Sequence, residues 1–303
     1  MSISDALLLG FPESGPMARR LAEEAGLLYA EIAIHRFPDG ESQLTLPDRR
    51  AVHVVLYRSL DQPNDKLIEL LLASRTLRSQ GVQRLTLVAP YLCYMRQDMV
   101  FEPGEVVSQQ VIGGWLAEMF DAVITVDPHL HRVSRLEQAV PAKQVINLSA
   151  APAFVDHIQA QKISGDLLFL GPDSESEQWV RGIADAAGLP YAIAQKQRQG
   201  DRSVLIRLPE AVSFHNRTVI LLDDMASTGR TLIAAAEQAK ARGAREIRVL
   251  VTHALFVNDS LARLRQSGIV HVGSSDSIPH ETNVASLAKT LAASLQRLCD
   301  EQS

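Results

Sequence analysis

The chain has 303 residues, which is enough for one large domain or two medium-sized domains with a substantial core. Its residues are 46% hydrophobic and 21% charged, and no apolar run is long enough for a transmembrane helix. A net charge of -5 gives no electrostatic attraction to nucleic acid, so we expect no nucleic-acid binding. Two cysteines, and a start without a signal-peptide pattern, favour a reducing cytoplasm.

The first half of the chain contains a strand–helix–strand pattern. Residues 54–57 form a short apolar segment that predicts a strand, and residues 65–80 carry apolar side chains at helical spacing. Residues 81–84 predict a turn that leads into a second strand at 85–90. Strands that alternate with helices favour a parallel sheet, because parallel strands need a crossover between them.

The second half of the chain repeats this pattern about 160 residues later. Its predicted elements are a helix at 151–159, a strand at 219–222, a helix at 231–242 and a strand at 247–251, and a strand at 144–147 comes just before the boundary. This recurrence predicts two duplicated domains, 1–149 and 150–303, with a C-terminal tail that could cross back to the first. Two unrelated strand–helix–strand units would also produce such a pattern.

The most specific motif lies between the strand at 219–222 and the helix that follows it. Two carboxylates, Asp223 and Asp224, end the apolar run. The small or hydroxyl-bearing residues that lead into the helix are Ser227, Thr228, Gly229 and Thr231. A helix N-terminus with such a loop suits a phosphate, and two carboxylates suit the vicinal hydroxyls of a sugar or a divalent cation. The motif therefore predicts a site for a sugar phosphate, although a solvated strand end with Ser227 as helix N-cap is an alternative.

Two segments of the first half carry side chains that suit a nucleotide. Phe37 is followed by Asp39 and Glu41, and Arg96-Gln97 follows a predicted buried strand. Together they supply an aromatic surface for stacking, an amide and a guanidinium. The alternatives are that Phe37 lies in the core beside a hairpin turn and that Arg96 forms a surface ion pair.

The acidic loop at 223–231 resembles the PRPP-binding loop of the phosphoribosyltransferase superfamily. With the segments around it, the whole chain resembles the ribose-phosphate pyrophosphokinase family. The segments that carry the resemblance, in family order, are Phe37-Pro38-Asp39-Gly40-Glu41, Pro90-Tyr91 through Tyr94-Met95-Arg96-Gln97, Val126-Asp127-Pro128-His129, and Asp223-Asp224. The match extends over nearly the whole chain at family-like spacing.

The resemblance implies an α/β fold of two duplicated type I phosphoribosyltransferase-like domains, each a mainly parallel sheet flanked by helices. It implies transfer of the pyrophosphoryl group of ATP to the 1-hydroxyl of ribose 5-phosphate, with Mg²⁺ as cofactor. The roles it implies are ribose 5-phosphate binding by the acidic loop, ATP binding by Phe37, Asp39, Glu41, Arg96 and Gln97, Mg²⁺ placement by His129 and Asp173, and catalysis by Lys196 and Arg198. It further implies a homo-oligomer in which Phe37, Asp39 and Glu41 reach the ATP site of a neighbouring subunit.

The chain departs from the family pattern in two places that bear on function. Met99-Val100-Phe101 stand where many members carry basic residues, which puts activation by phosphate and inhibition by ADP in doubt. The loop after Asp173 contains Glu175 and Glu177, and carboxylates near a pyrophosphate would repel it unless they point away. Two alternatives therefore stay open: a catalytically weak regulatory paralogue, and a phosphoribosyltransferase that uses a base.

Overall fold

A computed structural model describes residues 6–133, 135–163, 165–199 and 203–300 of the protein. Within these ranges, the side chains of 196–199, 203–205 and 299–300 are not described. The chain divides into two compact units. One contains the chain up to Leu148 together with the segment from Ala288 onward, and the other is Ser149–Leu287.

The first unit is built around a six-stranded sheet. Its strands are β1 (Ala6–Gly10), β2 (Leu28–Glu31), β3 (Ala33–Arg36), β4 (Ser42–Thr45), β5 (His53–Tyr57), β6 (Arg84–Val88), β7 (Ala122–Val126) and β8 (Gln144–Leu148). Its helices up to this point are α1 (Gly15–Ala25), α2 (Pro63–Ser79), α3 (Ser108–Met119) and α4 (Leu136–Ala139). The main sheet is parallel in the order β2-β1-β5-β6-β7-β8, and β3 and β4 form a separate antiparallel hairpin.

The second unit has the same plan. Its strands are β9 (Leu167–Gly171), β10 (Tyr191–Ile193), β11 (Gln195–Gln199), β12 (Ser203–Arg207), β13 (Thr218–Ala226), β14 (Glu246–Ala254), β15 (His271–Ser275) and β16 (Asn283–Ala285). Its helices are α5 (Ala151–Gln161), α6 (Glu177–Ala187), α7 (Arg230–Ala241) and α8 (Ser260–Gln266). The parallel sheet has the order β10-β9-β13-β14-β15-β16, and β11 and β12 form an antiparallel hairpin.

The two units share one strand order, in which β1 corresponds to β9, β5 to β13 and β6 to β14. Each unit also places an antiparallel hairpin after its second sheet strand. The prediction of two duplicated, mainly parallel sheets flanked by helices is thus confirmed. The final helix, α9 (Ala288–Asp300), contacts α1 and β8 of the first unit.

The central strands are apolar because both faces of each sheet are covered. All five residues of β1, β5 and β7 are buried, as is typical of parallel strands between two helical layers. In the second unit, Val219 and Leu221 of β13 pack with Val249 of β14 in the same core. No helix in the described ranges is both long and apolar enough to cross a membrane.

Strand β13 is longer than the sequence pattern predicted. The apolar run ends at Leu222, but the strand continues to Ala226 and so includes the acidic pair. Beyond Leu222 it still pairs with β14, with Asp223 opposite Val251, Met225 opposite His253 and Ala226 opposite Ala254. The carboxylates therefore stand on hydrogen-bonded backbone, which holds them more rigidly than a loop would.

Candidate active site

The acidic pair lies at the carboxyl edge of the second sheet. Strands β9, β13, β14 and β15 are parallel, so their carboxyl ends meet at one edge. Ligands of open α/β sheets bind outside this edge, where loops rather than strands face the solvent. Asp173 lies just after the end of β9, and Asp223 and Asp224 lie near the C-terminal end of β13. Asp173 and Asp224 are near enough to Asp223 for their charges to act on it.

The charges of these three carboxylates act on one another. Asp224 is buried, with 3% of its surface exposed, and its backbone N–H donates to Asp223 Oδ1 at 3.1 Å. Burial, together with the negative charges of Asp224 and Asp173, raises the pKa of Asp223 well above its ordinary value. An edge that concentrates negative charge in this way suits hydroxyl donors or a divalent cation.

The loop after β13 leads into a helix start that side chains leave open. Gly229 is the N-cap of α7, and no side chain caps the helix. The alternative with Ser227 as the N-cap is therefore wrong. The carbonyl of Ser227 instead accepts a hydrogen bond from the Val257 N–H at 3.2 Å. Gly229 has φ 69° and packs so closely that a Cβ would lie 3.1 Å from a methyl group of Leu264. The N–H groups of the first turn of a helix have no intrahelical partners, and such groups suit an anion.

The hydroxyl-bearing residues of this loop are accessible to a ligand. Thr228 is exposed, and Ser227 and Thr231 are partly exposed. Arg230, between them in the chain, is exposed as well. The predicted loop thus combines a helix N-terminus, hydroxyl groups and a neighbouring guanidinium.

A buried network that the sequence interpretation missed supports the ends of β14 and β15. The ring Nδ1 of His253 lies 2.9 Å from Ser277 Oγ. Ser277 Oγ and Ser275 Oγ both donate to the carbonyl of Thr252, at 2.8 and 2.6 Å. Because His253 is the strand partner of Met225, this network fixes the backbone directly beside the acidic pair. The two partners of each of these hydrogen bonds are more than twenty residues apart in sequence, so no local pattern reveals the network.

Asp173 closes the turn that follows β9. Its Oδ1 accepts from the backbone N–H groups of Glu175 and Ser176 at 3.1 and 3.3 Å. The side chain is buried, whereas Glu175 and Glu177 are exposed. The loop after Asp173 therefore presents Glu175 and Glu177 to solvent.

The predicted catalytic cations lie on the hairpin of the second unit. Lys196 pairs with Ile206 and Arg198 with Val204, so both residues stand on β11. Both side chains, and residues 200–202 of the connecting turn, lie outside the described part of the chain.

The hairpin of the first unit presents Phe37, Asp39 and Glu41 in its turn. The backbone N–H of Phe37 donates to the carbonyl of Glu41 at 2.9 Å, and Asp39 Oδ1 accepts from the Glu41 N–H at 3.2 Å. Phe37 is 42% exposed, which contradicts a core position, while Asp39-Gly40 does form the expected turn. The turn therefore offers an exposed ring beside two carboxylates.

The second nucleotide segment follows β6. Arg96 is exposed, and Gln97 donates to the Met99 carbonyl and to Glu105, both at 3.1 Å. The carboxylate of Glu105 also accepts from the N–H groups of Phe101 and Glu102, and these bonds lower its pKa. Gln97 is thus held at the start of a closed loop.

His129 follows β7 in the same unit. It is partly buried, and its ring meets that of His131 edge-on with centroids 3.9 Å apart. Within the described residues, no group of three or more His, Cys, Asp or Glu side chains has metal-binding geometry. Mg²⁺ is commonly held by only one or two carboxylates together with substrate phosphates, so a site for it need not contain such a group.

Comparisons with known proteins place this arrangement in a family. Residues 7–120 match the model of the N-terminal domain of ribose phosphate pyrophosphokinase, and residues 144–280 match that of the phosphoribosyl transferase domain. The ribose-phosphate pyrophosphokinase of Methanopyrus kandleri is 32% identical over 294 residues, covering 96% of this chain and 99% of that protein. Its counterpart from Saccharolobus solfataricus is 33% identical over 239 residues, covering 77% and 79%.

A solved structure shows the same fold. The crystal structure of phosphoribosylpyrophosphate synthetase from Mycobacterium smegmatis superposes with a TM-score of 0.82 and 22% identity, covering 98% of this chain and 99% of that one. Both family models, a relative of full length and the shared fold agree with the order of motifs along the sequence. The chain belongs to the ribose-phosphate pyrophosphokinase family.

Proposed function

We propose that the protein transfers the β,γ-pyrophosphoryl group of ATP to the 1-hydroxyl of ribose 5-phosphate, giving AMP and phosphoribosyl pyrophosphate. In this reaction the 1-oxygen bonds to the β-phosphorus as the bond to the AMP oxygen breaks and the hydroxyl proton is released. Curated relatives over nearly the full chain carry the name of this activity. The location we propose is the cytoplasm.

The observation that carries the proposal is the acidic pair beside an uncapped helix N-terminus in the second unit. Asp223 and Asp224 would accept hydrogen bonds from the vicinal hydroxyls of ribose. The 5-phosphate would be held by the start of α7, through Ser227, Thr228, Gly229 and Thr231. The backbone pairing of β13 with β14 would keep the sugar oriented for attack, and such positioning lowers the barrier of phosphoryl-group transfer.

The nucleotide side of the proposal rests on the first unit. Arg96 would grip ATP phosphates through its guanidinium, and Gln97 would exchange its bond to exposed Glu105 for one to the nucleotide. Phe37 would stack on the adenine, while Asp39 and Glu41 would accept from its polar edge. Because the resemblance assigns these three to a neighbouring subunit, we propose a homo-oligomer as the active form.

Charge builds on the phosphate oxygens during the transfer, so cations must stabilise it. We propose that Lys196 and Arg198 on β11 do this, because the resemblance assigns catalysis to this pair of cations. An arginine can bind two phosphate oxygens through its planar fork, whereas a lysine acts as a point charge, so the pair is not redundant.

We propose Mg²⁺ as the cofactor, with His129 and Asp173 helping to place it. Carboxylate oxygens are the donors that this ion prefers, and Asp173 and Asp224 lie near enough to Asp223 that their charges add to burial in raising its pKa. When bound, the ion would neutralise phosphate charge and join phosphate oxygens to protein carboxylates. The chain's own contribution is to hold Asp173 in a fixed turn through the Glu175 and Ser176 N–H groups.

The test is direct. The pure protein is incubated with ATP, Mg²⁺ and ribose 5-phosphate, and the products are followed by ³¹P NMR; AMP and phosphoribosyl pyrophosphate should appear in equal amounts. Omitting ribose 5-phosphate is the control and should leave ATP intact. Turnover to ADP, or none at all in the presence of every substrate, would refute the proposal. The second result would favour the regulatory paralogue instead.

A further inference from the structure

The hairpin that carries Phe37, Asp39 and Glu41 is closed by Arg36 and Ser42. Arg36 is the last residue of β3 and Ser42 is the first residue of β4, and the two pair opposite each other at the base of the turn. Both strands are largely exposed, so packing alone fixes the hairpin weakly. The position of the turn therefore depends on what the two closing residues contact.

Both closing residues contact one side chain on α2. Ser42 Oγ donates to Glu69 Oε1 at 2.6 Å, and Arg36 Nη2 donates to the same oxygen at 3.4 Å. Arg36 also reaches Asp65, one helical turn earlier, at 2.5 Å. The Glu69 side chain is fully buried, at 0% exposure. A single carboxylate thus holds both ends of the turn.

Glu69 is in turn fixed by a buried arginine. Arg58 Nη2 donates to Glu69 Oε2, and Arg58 Nε donates to Glu13 Oε1 at 2.7 Å. The guanidinium also donates to the Lys66 carbonyl at 3.1 Å and lies over the ring of Phe11, 3.9 Å from its centroid. The Arg58 side chain is only 1% exposed, and its buried charge is compensated by the carboxylates of Glu13 and Glu69.

Arg58 occupies the position that corresponds to Asp223 in the second unit. β5 begins its pairing with β1 at His53, as β13 begins its pairing with β9 at Thr218. Arg58 comes five residues after His53, and Asp223 comes five after Thr218. The first unit therefore fills the place of the sugar site with a cation that binds the protein's own carboxylates.

We propose that Glu69 is a positioning residue that holds the Phe37–Glu41 turn in place for the adenine, a role that rests on the proposed function of that turn. Glu69 touches no substrate and acts through Arg36 and Ser42. Loosening it should weaken nucleotide binding without altering the sugar site, which belongs to the other unit. The expected signature is a raised Kd and KM for ATP with an unchanged KM for ribose 5-phosphate.

The test uses Ser42→Ala, which removes the hydroxyl that binds Glu69 Oε1 at 2.6 Å and leaves the Arg58 pair intact. Ser79→Ala is the matched control, because its hydroxyl only donates to the Thr76 carbonyl at the exposed end of α2. Glu69→Gln is the second variant; it keeps the size of the side chain but leaves Arg58 with less charge compensation. ATP affinity is measured by calorimetry without ribose 5-phosphate, and amide exchange of residues 37–41 is followed by mass spectrometry.

Ser42→Ala should weaken ATP binding about three- to tenfold, as expected for loss of part of one hydrogen bond to a charged group. It should speed amide exchange in 37–41, while Ser79→Ala changes neither. Unchanged exchange or unchanged ATP affinity in Ser42→Ala would overturn the inference, as would equal weakening of both substrates. A wild-type protein that binds ATP but forms no phosphoribosyl pyrophosphate would refute the proposed function and leave these two measurements to decide on Glu69.

Discussion

Replacing Asp223 by asparagine should stabilise the fold while it impairs the use of ribose 5-phosphate. Burial and the charges of Asp224 and Asp173 raise the pKa of Asp223, so the folded state disfavours its ionised form. Asparagine has the same shape, and its carbonyl oxygen can still accept the Asp224 N–H. The substitution thus removes repulsion without removing that bond.

The sign of the pH dependence follows from linkage. Above the ordinary aspartate pKa of 3.8, the unfolded chain has lost this proton while the folded chain retains it. The wild type therefore loses stability as pH rises from 3.8 through the raised folded value, and the variant does not. Asp223→Asn should gain in melting temperature relative to wild type at pH 7 and show little gain near pH 3.

The activity should change in the opposite direction. A hydrogen bond between a charged carboxylate and a hydroxyl is worth about 1.5–3 kcal/mol, or roughly 10- to 150-fold. Asp223→Asn should lower kcat/KM for ribose 5-phosphate within that range, and the double variant with Asp224→Asn should lower it further. Initial rates with varied ribose 5-phosphate at saturating ATP measure the effect.

The matched control is Asp185→Asn, which makes the same chemical change on the exposed surface of α6. It should alter neither kcat/KM nor the pH dependence of melting. A double variant at 223 and 224 with kcat/KM within twofold of wild type would refute the diol-binding role. An Asp223→Asn protein that melts below wild type at pH 7 would refute the account of carboxylate repulsion.

The remaining predictions concern pH, phosphate and assembly. Burial and the positive charge of Arg84 lower the pKa of His53 in the folded protein to about 4. As the pH falls, His53 is therefore protonated in the unfolded chain, where its pKa is 6.5, before it is protonated in the folded protein. Acidification from pH 7 should therefore cost up to about 3 kcal/mol of stability, and urea unfolding of His53→Gln should lack this loss. Inorganic phosphate should activate weakly or not at all, because Arg132 is bound to Asp98 at 2.6 Å; a large saturable rise in rate at fixed free Mg²⁺ would contradict this. If the 37–41 turn completes a neighbour's ATP site, a monomer proven by light scattering should be inactive, and full specific activity would exclude that arrangement.

Much of the fold could be predicted because the central strands contain uninterrupted apolar runs. β5 and β13 lie between two helical layers, and their burial appears in the sequence as short apolar runs. The hairpin strands β3 and β4 were not predicted as strands, because both are largely exposed and carry polar residues. Exposed two-stranded hairpins leave little periodicity in a sequence.

The site could be predicted only where its residues are adjacent in sequence. The loop at 223–231 stands in one segment, whereas the partner of His253 is Ser277, which only the sheet order brings near. The buried position of Glu69 on α2 could not be predicted for a related reason. Its side chain is fully buried, and a charged residue is buried only with a partner, which the sequence does not identify.

One scaffold thus appears twice with opposite charges at the same position. In the second unit, Asp223 stands among like charges, and the fold accepts that repulsion at a sheet edge where a ligand can relieve it. In the first unit, Arg58 satisfies Glu13 and Glu69 within the protein, and the stabilised position supports a turn instead of binding a sugar. The two positions therefore differ in role. Asp223, among like charges, has the proposed binding role, whereas Arg58, paired with two carboxylates of the protein, has a supporting role. For this reason the Asp223 and Ser42 variants should act on different substrates.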